Sequence, residues 1–379
     1  MKIALVVSWL NQYGGAERVL EAAHELFPQA PVYTSIYDPG ALPPAYREWD
    51  IRVSFLDRLP GAHRRHQRYL PLYPLAFESF KLDGFDLVLS IPSAFAHGVR
   101  TPASTPQLCY CLTPARFLWQ YREYVENEAV GPIVRAALPA AVGPLRAWDR
   151  RAAARVSEFA AISRVVQERI RKYYGRASTL IYPPVEVGHF QPVPPSEVAD
   201  YYLIVSRLVP YKRVDLAIQA FNELGLPLVI AGDGRDRARL ERLAGSTVRL
   251  LGRVSDADRR GLMARCRALI FPGEEDFGLT PLEANASGRP VIAFAGGGAL
   301  DSVCEGVNGS LFHEASAASL SECVRSFDAG AFDPRRIRAH AEQFDVSVFK
   351  QALSASINNL VSGNLLNSSS AVSSERIPV

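Results

Sequence analysis

Short apolar runs separated by longer helical patterns dominate this sequence, and they occur in two successive series. The strand-like runs are KIALVVS, PVYTSIY, FDLVLSI, QLCYCL and EFAAIS in the first series, and YYLIVSR, LPLVIAGDG, TVRLLGR, RALIFPG and RPVIAFAGG in the second. Continuous runs of Val, Ile and Leu alternating with helices are typical of parallel strands that are covered on both faces. Two series that each begin afresh predict an α/β chain with two doubly wound domains.

The proline-rich stretch IYPPVEVGHFQPVPPSEV separates the two series and predicts the linker. We therefore predict an N-terminal domain over residues 1–190 and a second domain over residues 191–343. A C-terminal helix over residues 344–361 is predicted to return to the first domain. The Ser/Asn-rich tail over residues 362–379 lacks periodicity and is predicted to be disordered.

The composition describes an ordinary globular protein, with 48% hydrophobic and 21% charged residues among 379. A net charge of +3 in so long a chain gives no reason to expect nucleic-acid binding. No apolar run approaches the roughly 20 residues that span a bilayer, and the N-terminus is typical of a first strand rather than a signal peptide. The five cysteines, an odd number, favour reduced thiols in a cytoplasmic protein over a disulfide framework.

One basic segment stands out from this even charge distribution. Arg58 to Phe77 interleaves four Arg and two His with Tyr, Leu and Phe. Such a segment suits a solvated loop, an acceptor groove, or a patch that lies on an anionic membrane surface. The residues alone leave these three alternatives open.

The stretch EEDFGLTPLE, which follows the strand-like run RALIFPG, has two explanations. Thr280 as N-cap, Pro281 at N1 and Glu283 at N3 would form a capping box. A strand, a turn at Gly278 and an exposed helix N-terminus also form an anion site, with backbone N–H groups of residues 277–280 pointing at the ligand. Capping and ligand binding both remain open.

Two cations follow the first strand of the second series, in SRLVPYKRVDL. Arg207 and Lys212 lie at the start of a predicted helix, where their charges oppose the helix dipole. A diphosphate would compensate for that cost, whereas the alternative is a pair of solvated surface cations.

Two further loops are weaker candidates. Gly14 and Gly15, after the first strand, allow a ligand to approach the backbone closely but do not form the dinucleotide fingerprint. Asp256 and Asp258 could hold a metal, although Ser255 before them also predicts a Ser-x-x-Asp helix cap. No His/Cys spacing is typical of a zinc site.

Taken in order, these loops resemble those of the retaining nucleotide-sugar glycosyltransferases of the GT-B fold, glycosyltransferase family 4 (group 1). The similarity runs over nearly the whole chain, through GGAERV, SRLVPYKRVDLAIQAF, GDG and EDFGLTPLEANASGRPVIA. Its most specific part is an E-x7-E motif, met by Glu275 and Glu283. The resemblance implies two Rossmann-like domains facing a central cleft, the N-terminal one on the acceptor side and the C-terminal one binding the nucleotide sugar.

The resemblance also implies roles for individual residues. Arg207 and Lys212 would bind the donor diphosphate and stabilise the leaving nucleotide, Glu283 would accept hydrogen bonds from the ribose, and Glu275 would contact the transferred sugar. The expected catalytic residues are Arg207, Lys212 and Glu275, which the resemblance implies, and His97, which could replace the histidine that the family has at Leu112. The implied donor-binding residues are Gly14, Gly15, Arg207, Lys212, Gly232, Arg253, Val254, Glu275, Phe277, Gly278, Leu279, Thr280 and Glu283. No metal and no cofactor are expected, because the basic pair and the helix N-terminus neutralise the departing charge.

One departure from the family concerns catalysis. Related bacterial enzymes often have a histidine near the reacting carbon of the donor, where this chain has Leu112 in CYCLTPARFLWQ. His97, in the preceding loop, is the nearest histidine in the sequence. It is either a substitute in the cleft or an ordinary surface histidine beside a helix.

The motifs GGAERVL and TPARFLW resemble those of bacterial enzymes that build surface polysaccharides such as lipopolysaccharide. The function this implies is transfer of a hexose, mannose from GDP-mannose, to a lipid-linked oligosaccharide at the inner face of the cell membrane. The alternatives are a soluble UDP-sugar-dependent transferase that acts on a small acceptor, and a catalytically silent nucleotide-sugar-binding partner.

Overall fold

The computed structural model describes residues 1–121 and 132–373 of the chain. Of these residues, 1–121, 132–182 and 349–373 form one compact unit, and 183–348 form a second. The C-terminal helix, predicted over 344–361, is observed as Val346–Ser373, so it extends into the tail that the sequence predicts to be disordered. The rest of that tail, 374–379, lies outside the described residues.

The first unit contains a sheet of seven strands in the order β3-β2-β1-β4-β5-β6-β7. All of its strand pairs are parallel. The strands are β1 (Ile3–Val7), β2 (Val32–Thr34), β3 (Ile51–Val53), β4 (Leu87–Ile91), β5 (Gln107–Cys111), β6 (Glu158–Ala161) and β7 (Thr179–Leu180).

The second unit contains a sheet of six parallel strands in the order β10-β9-β8-β11-β12-β13. The strands are β8 (Tyr202–Val205), β9 (Leu228–Ala231), β10 (Val248–Gly252), β11 (Ala268–Phe271), β12 (Val291–Phe294) and β13 (Gly309–Phe312). In both sheets the strand order reverses beside the first strand of the unit, which is the doubly wound pattern. Every run predicted as a strand contains one, and the predicted α/β class is confirmed.

Helices connect the strands of each unit. The α-helices are Gly15–Leu26, Ala62–Arg65, Tyr73–Glu78, Arg116–Trp119, Pro132–Arg155, Arg164–Tyr174, Val214–Leu224, Arg237–Leu243, Asp256–Arg265, Leu279–Ala286, Ala299–Ser302, Ala317–Ser326, Pro334–Glu342 and Val346–Ser373. The 3₁₀ helices are Pro44–Glu48, Phe55–Arg58, His66–Leu72, Ala96–Gly98, Val187–His189, Pro195–Glu197, Pro210–Lys212 and Ala329–Ala331. Of the helices in the described part of the chain, none has both the length and the apolar character that crossing a bilayer requires.

The helix Val214–Leu224 shows how the sequence builds these layers. Val214, Ala217, Ile218 and Phe221 are buried and follow the spacing of one helix face. Phe221 packs edge-on against Tyr202 of β8, with ring centroids 5.0 Å apart. Burial of each large side chain of this kind contributes about 2 kcal/mol. The helix therefore covers the face of the sheet beside β8, and it fixes the loop that joins the two.

The boundary between the units lies earlier than the predicted 190/191. The amide of Val185 donates to the carbonyl of Phe344, and the amide of Val346 donates to the carbonyl of Val185. Arg338 Nη1 also donates to the carbonyl of Phe190, at 2.7 Å. These bonds tie residues 185–190 to the end of the second unit, so the proline-rich stretch from Pro183 onward is part of that unit rather than a free linker.

Candidate functional site

The strand order of the second sheet reverses at β8, the point at which doubly wound sheets form a crevice. β8 lies between β9, which follows it in the chain, and β11, which is reached two strands later. In doubly wound sheets, ligands bind at this reversal, outside the carboxyl ends of the strands. The loops over residues 206–213, after β8, and 272–278, after β11, border the crevice. Both loops carry residues that the sequence predicts to bind a donor.

Glycines allow the loops at this edge to pack backbone against backbone. A Cβ atom at Gly273 would lie 2.8 Å from main-chain atoms of Lys212. One at Gly232 would lie 1.8 Å from the carbonyl oxygen of Ser206, and Gly232 has a φ of 142° that L side chains rarely adopt. Any side chain at either position would therefore push the loop after β8 away from its neighbours.

The structure brings Lys212 and Glu275 together across the crevice. Lys212 Nζ forms an ion pair with Glu275 Oε1, although the two residues follow different strands. Their side chains are 13% and 20% exposed, so the pair is largely shielded yet still reachable from solvent. The ammonium also lies 5.3 Å from the centroid of the Tyr211 ring. An ammonium with three donors can keep Glu275 and still bind an anionic oxygen.

Arg207 lies in the same loop as Lys212 and has an exposed side chain. Its carbonyl accepts hydrogen bonds from the amide of Val209 and from the hydroxyl of Ser206. The helix that follows begins at Val214, so the two cations precede it rather than lying in its first turn. They thus oppose the helix dipole less directly than the sequence predicts.

The capping-box alternative for Thr280 and Glu283 is wrong. The helix begins at Leu279, its N-cap is Gly278 with a φ of 84°, and no side chain caps it. The positive φ of Gly278 starts the helix earlier than a threonine cap would, which leaves Thr280 in the first turn. The amides of Leu279 and Thr280 therefore lie among the first helical N–H groups, which lack partners within the helix.

Glu283 instead forms an ion pair deep in the second unit. Its Oε2 accepts a 2.6 Å hydrogen bond from Arg259 Nη1. The Glu283 side chain is 4% exposed and that of Arg259 is 15% exposed. A carboxylate this deeply buried requires a compensating charge, and Arg259 supplies it.

Arg253 and Val254 lie between β10 and the helix that carries Arg259. Arg253 is exposed and Val254 is half-buried. The predicted cap of this helix is confirmed, because the Ser255 side chain accepts from the amide of Asp258 at 3.1 Å.

The metal alternative for this segment finds no support. Asp256 pairs with Arg259 at 3.2 Å, and the Ser255 hydroxyl donates to Asp258 at 2.7 Å. Over residues 1–121 and 132–373, no group of three or more His, Cys, Asp or Glu is arranged to hold a metal ion. Both aspartates therefore have structural roles.

In the first unit, Gly14 and Gly15 follow β1 at the reversal point of the first sheet. Gly14 is the N-cap of the helix Gly15–Leu26, and its carbonyl accepts from the amide of Arg18. Leu112 follows β5 and is half-buried, with its amide donating to the carbonyl of Pro92 at 3.0 Å. A leucine cannot transfer a proton, so this position provides no acid or base.

His97 is neither exposed in a crevice nor on the surface beside a helix. Its side chain is 3% exposed, and Nε2 lies 3.2 Å from Oδ1 of Asp149, which is fully buried. Asp149 Oδ2 also accepts from Trp119 Nε1 at 2.7 Å and from the Tyr174 hydroxyl at 2.8 Å. The prediction that His97 is catalytic is therefore corrected: a side chain enclosed in this cluster cannot contact a substrate.

The charge state of His97 follows from this environment. Burial alone lowers the pKa of the imidazole, but the facing Asp149 carboxylate outweighs it and leaves the pKa above its usual value of 6.5. His97 and Asp149 thus form a buried ion pair inside the first unit.

The sequence gives little signal for the partners Arg259 and Asp149. Arg259 follows Asp256 by three positions on a helix, which predicts only a local surface pair. Its contact with Glu283 joins residues that are 24 positions apart, and no periodicity connects them. Asp149 lies in a helix with several charges, where an exposed aspartate is the ordinary expectation.

Comparison with known proteins finds a family match within the second unit. Residues 189–343 match the model described as glycosyl transferases group 1. The chain is 32% identical over 130 residues to an uncharacterized glycosyltransferase of Methanocaldococcus jannaschii, a match covering 33% of this chain and 37% of that protein. It is 42% identical over 101 residues to a GDP-mannose-dependent alpha-mannosyltransferase of Mycolicibacterium smegmatis, covering 26% of each. The chain thus matches well under half the length of these relatives.

Solved structures resemble nearly the whole chain. The crystal structure of Anabaena HepE in complex with UDP and glucose superposes with a TM-score of 0.69, covers 94% of this chain and 99% of its own, and is 20% identical in sequence. At that identity the likeness shows the fold, and it confirms the predicted class of two doubly wound α/β domains. The predicted cleft between the domains stays a prediction.

Proposed function

We propose, from the premise that residues 189–343 belong to the glycosyl transferases group 1 family, that this protein transfers a hexose from a nucleotide diphosphate sugar to a glycan acceptor. The observation that carries the proposal is the Lys212–Glu275 ion pair at the strand reversal of the second sheet. The Lys212 ammonium can bind a diphosphate, and the adjacent Glu275 carboxylate can accept hydrogen bonds from hydroxyl groups. A nucleotide sugar offers both groups on adjacent parts of one molecule.

In the proposed reaction, the bond between the anomeric carbon of the sugar and the donor phosphate oxygen breaks. A new bond forms from that carbon to an acceptor hydroxyl oxygen, and the acceptor proton passes to the departing phosphate. Lys212 and Arg207 stabilise the charge that develops on the leaving diphosphate, and the first amides of the helix Leu279–Ala286 add to this stabilisation. In this scheme the bond to the acceptor forms on the same face of the sugar from which the phosphate leaves, so the anomeric configuration is retained without a carboxylate nucleophile. We also propose that the reaction needs no metal.

We propose that the donor is GDP-mannose. Support comes from the M. smegmatis relative, whose name specifies GDP-mannose, whereas HepE was crystallised with UDP and glucose. A thermal-shift series with GDP, UDP and dTDP separates these donors, because a ligand that binds only the folded state at 100 times its Kd adds about 2.7 kcal/mol of stability. We expect the largest increase in Tm with GDP. An increase with UDP alone would favour the UDP-sugar alternative.

We propose that the acceptor is a lipid-linked oligosaccharide, presented by an anionic membrane to the basic segment Arg58–Phe77. The inner side of this segment, including Tyr73 and Phe77, is buried in the core of the first unit. Its outer side carries exposed arginines together with Leu75, which is 62% exposed. Burial lowers the pKa of His66 to about 4, so the positive charge of the outer side comes from the exposed arginines rather than from His66.

A vesicle assay tests this surface. We expect the protein to co-sediment with phosphatidylglycerol-containing vesicles, with binding that weakens as salt rises. Arg64→Glu/Arg65→Glu should abolish most of the binding, because two charges are reversed on the exposed side. Arg335→Glu/Arg336→Glu, an adjacent exposed pair in the second unit, is the matched control and should bind as the wild type does.

If the protein binds anionic vesicles at no salt concentration, the result contradicts a lipid-linked acceptor and favours a small soluble acceptor. Leu112 motivates a second alternative, a silent nucleotide-sugar-binding partner, since this position offers no proton-transfer group. Release of nucleoside diphosphate from the donor by the purified protein would exclude that alternative.

A further inference from the structure

Arg289 lies at the amino-terminal edge of the second sheet, just before β12. Its amide donates to the carbonyl of Ala284 at 2.9 Å, and its own carbonyl accepts from Asn285 Nδ2 at 3.0 Å. The strands of this sheet are parallel, so the loops that carry Lys212 and Glu275 leave from the opposite edge. Arg289 is therefore separate from the proposed donor site.

The side chain of Arg289 is buried without a partner in the described part of the chain. The residue is 7% exposed, and its Nε atom is shielded from solvent and has no hydrogen-bond partner there. Arginine is almost never buried this deeply unless it is paired. Burial lowers the pKa of Arg289, and among the described residues only the thiol of Cys266 opposes this shift. The guanidinium nevertheless stays charged at neutral pH, so its positive charge needs a counter-charge.

Cys266 cannot supply that counter-charge. Burial raises the pKa of its thiol to about 12, so the sulfur is neutral near pH 7. The thiol also donates to the carbonyl of Met263, at 3.3 Å. The carboxyl end of the helix Leu279–Ala286, which precedes Arg289, favours a nearby cation but offsets only part of the cost of burying one.

Two other arginines at the same edge do have carboxylate partners. Arg265 and Arg267 lie just before β11, the strand that pairs with β12. Arg265 pairs with Glu197 at 3.4 Å and Arg267 pairs with Asp200 at 3.2 Å, both at the surface. The exposed arginines of this edge are thus paired while the buried one is not, which is the reverse of what solvation alone would favour.

We propose that Arg289 is the central residue of a further anion site in the second unit, and that its ligand is a small oxyanion of the phosphate or carboxylate class. A guanidinium presents its N–H groups in one plane and can donate to two oxygens of either class. Because Nε is shielded from solvent, the terminal nitrogens Nη1 and Nη2 are the donors. The bound oxyanion supplies the counter-charge and stabilises the folded unit. The inference uses no residue of the crevice and is independent of hexose transfer.

Thermal unfolding of the full chain in sodium phosphate, sodium acetate and sodium chloride of equal ionic strength tests this site. Lys212→Ala serves as the background protein, so that phosphate bound at the crevice contributes little. We expect phosphate, acetate or both to raise the Tm above its value in chloride, and to do so increasingly with concentration. A response to phosphate alone assigns the phosphate class, and a response to acetate assigns the carboxylates.

In the same background, Arg289→Met should lose this increase in Tm, and isothermal titration should show at least about 10-fold weaker binding of the oxyanion. In chloride alone its Tm should equal that of the background protein or exceed it, because an apolar side chain replaces an unpaired buried charge. Arg289→Lys keeps a charge without the planar N–H groups and should keep part of the response. Arg267→Met, the matched control, removes a paired arginine from the same edge and should respond fully.

Three results would overturn the inference. The first is a background protein whose Tm responds to neither phosphate nor acetate, and the second is an equal response in Arg289→Met. The third is an Arg289→Met variant that melts well below the background protein in chloride, since Arg289 would then stabilise the fold without any anion. Nucleotide binding at the crevice is measured separately, so its failure would leave the site at Arg289 unaffected.

Discussion

Replacing Lys212 by alanine is expected to lower kcat/KM for the donor sugar nucleotide at least about 100-fold, the usual cost of removing one charged stabiliser of a leaving group. The structure adds a second reason, since Glu275, which is 20% exposed, would lose the ammonium that faces it. The variant should remain folded, because the pair lies at the rim of the sheet rather than in its core. Coupled measurement of nucleoside diphosphate release gives kcat/KM for both proteins.

Lys350→Ala is the matched control for this substitution. Lys350 also forms a close ion pair with a glutamate, Glu25, but within the first unit. We expect wild-type kinetics from it. Full activity in Lys212→Ala would contradict the proposal that Lys212 stabilises the leaving diphosphate. Equal losses of activity in Lys212→Ala and Lys350→Ala would indicate a general effect of lost ion pairs.

Replacing His97 by glutamine is expected to destabilise the first unit by about 3 kcal/mol, because the buried carboxylate of Asp149 loses its counter-charge. All four tryptophans, Trp9, Trp49, Trp119 and Trp148, lie in the first unit. Urea unfolding followed by tryptophan fluorescence therefore reports on this unit. His97→Gln/Asp149→Asn should recover much of the loss, since no charge is then buried alone.

The contribution of His97 to the stability of the first unit should decrease as pH rises. The pKa of His97 is above 6.5 in the folded protein, where Asp149 and Cys109 both face the ring. Its stabilising contribution is then complete below about pH 6.5 and is lost as pH rises through the folded pKa. The difference in unfolding free energy between wild type and His97→Gln should therefore become smaller as pH rises through the folded pKa of His97.

Arg100→Gln is a control for the His97 substitution. It breaks an Arg100–Glu78 pair with an exposed arginine, so we expect a cost within about 1 kcal/mol. A similar cost for His97→Gln, with no dependence on pH, would contradict the buried ion pair.

Much of the architecture could be predicted because buried parallel strands leave a strong local signal. The runs around β1, β4, β8 and β11 are continuous and apolar, and each contains the strand expected of it. The strands β3, β7 and β13 were not predicted, since they consist of only two to four residues or contain glycine and serine. Short strands of this kind are defined by their neighbours in the sheet rather than by their own residues.

The site was predictable where spacing along the chain carries the information, and not where folding joins distant residues. The sequence predicts loops at the strand ends, and the structure brings Lys212 of one loop to Glu275 of another. A threonine cap was one of its two explanations for EEDFGLTPLE, whereas the positive φ of Gly278 starts the helix instead. The enclosure of His97 by a helix much later in the chain is a tertiary effect, and no local pattern indicates it.

Isothermal titration of GDP and UDP into the wild type and into Lys212→Ala tests most directly whether the crevice between β8 and β11 binds a nucleoside diphosphate. We expect saturable binding of at least one nucleotide to the wild type, and at least about 10-fold weaker binding to the variant, because a charge-assisted contact to phosphate is lost. A wild type that binds neither nucleotide, or a variant that binds as tightly as the wild type, would contradict the proposed site.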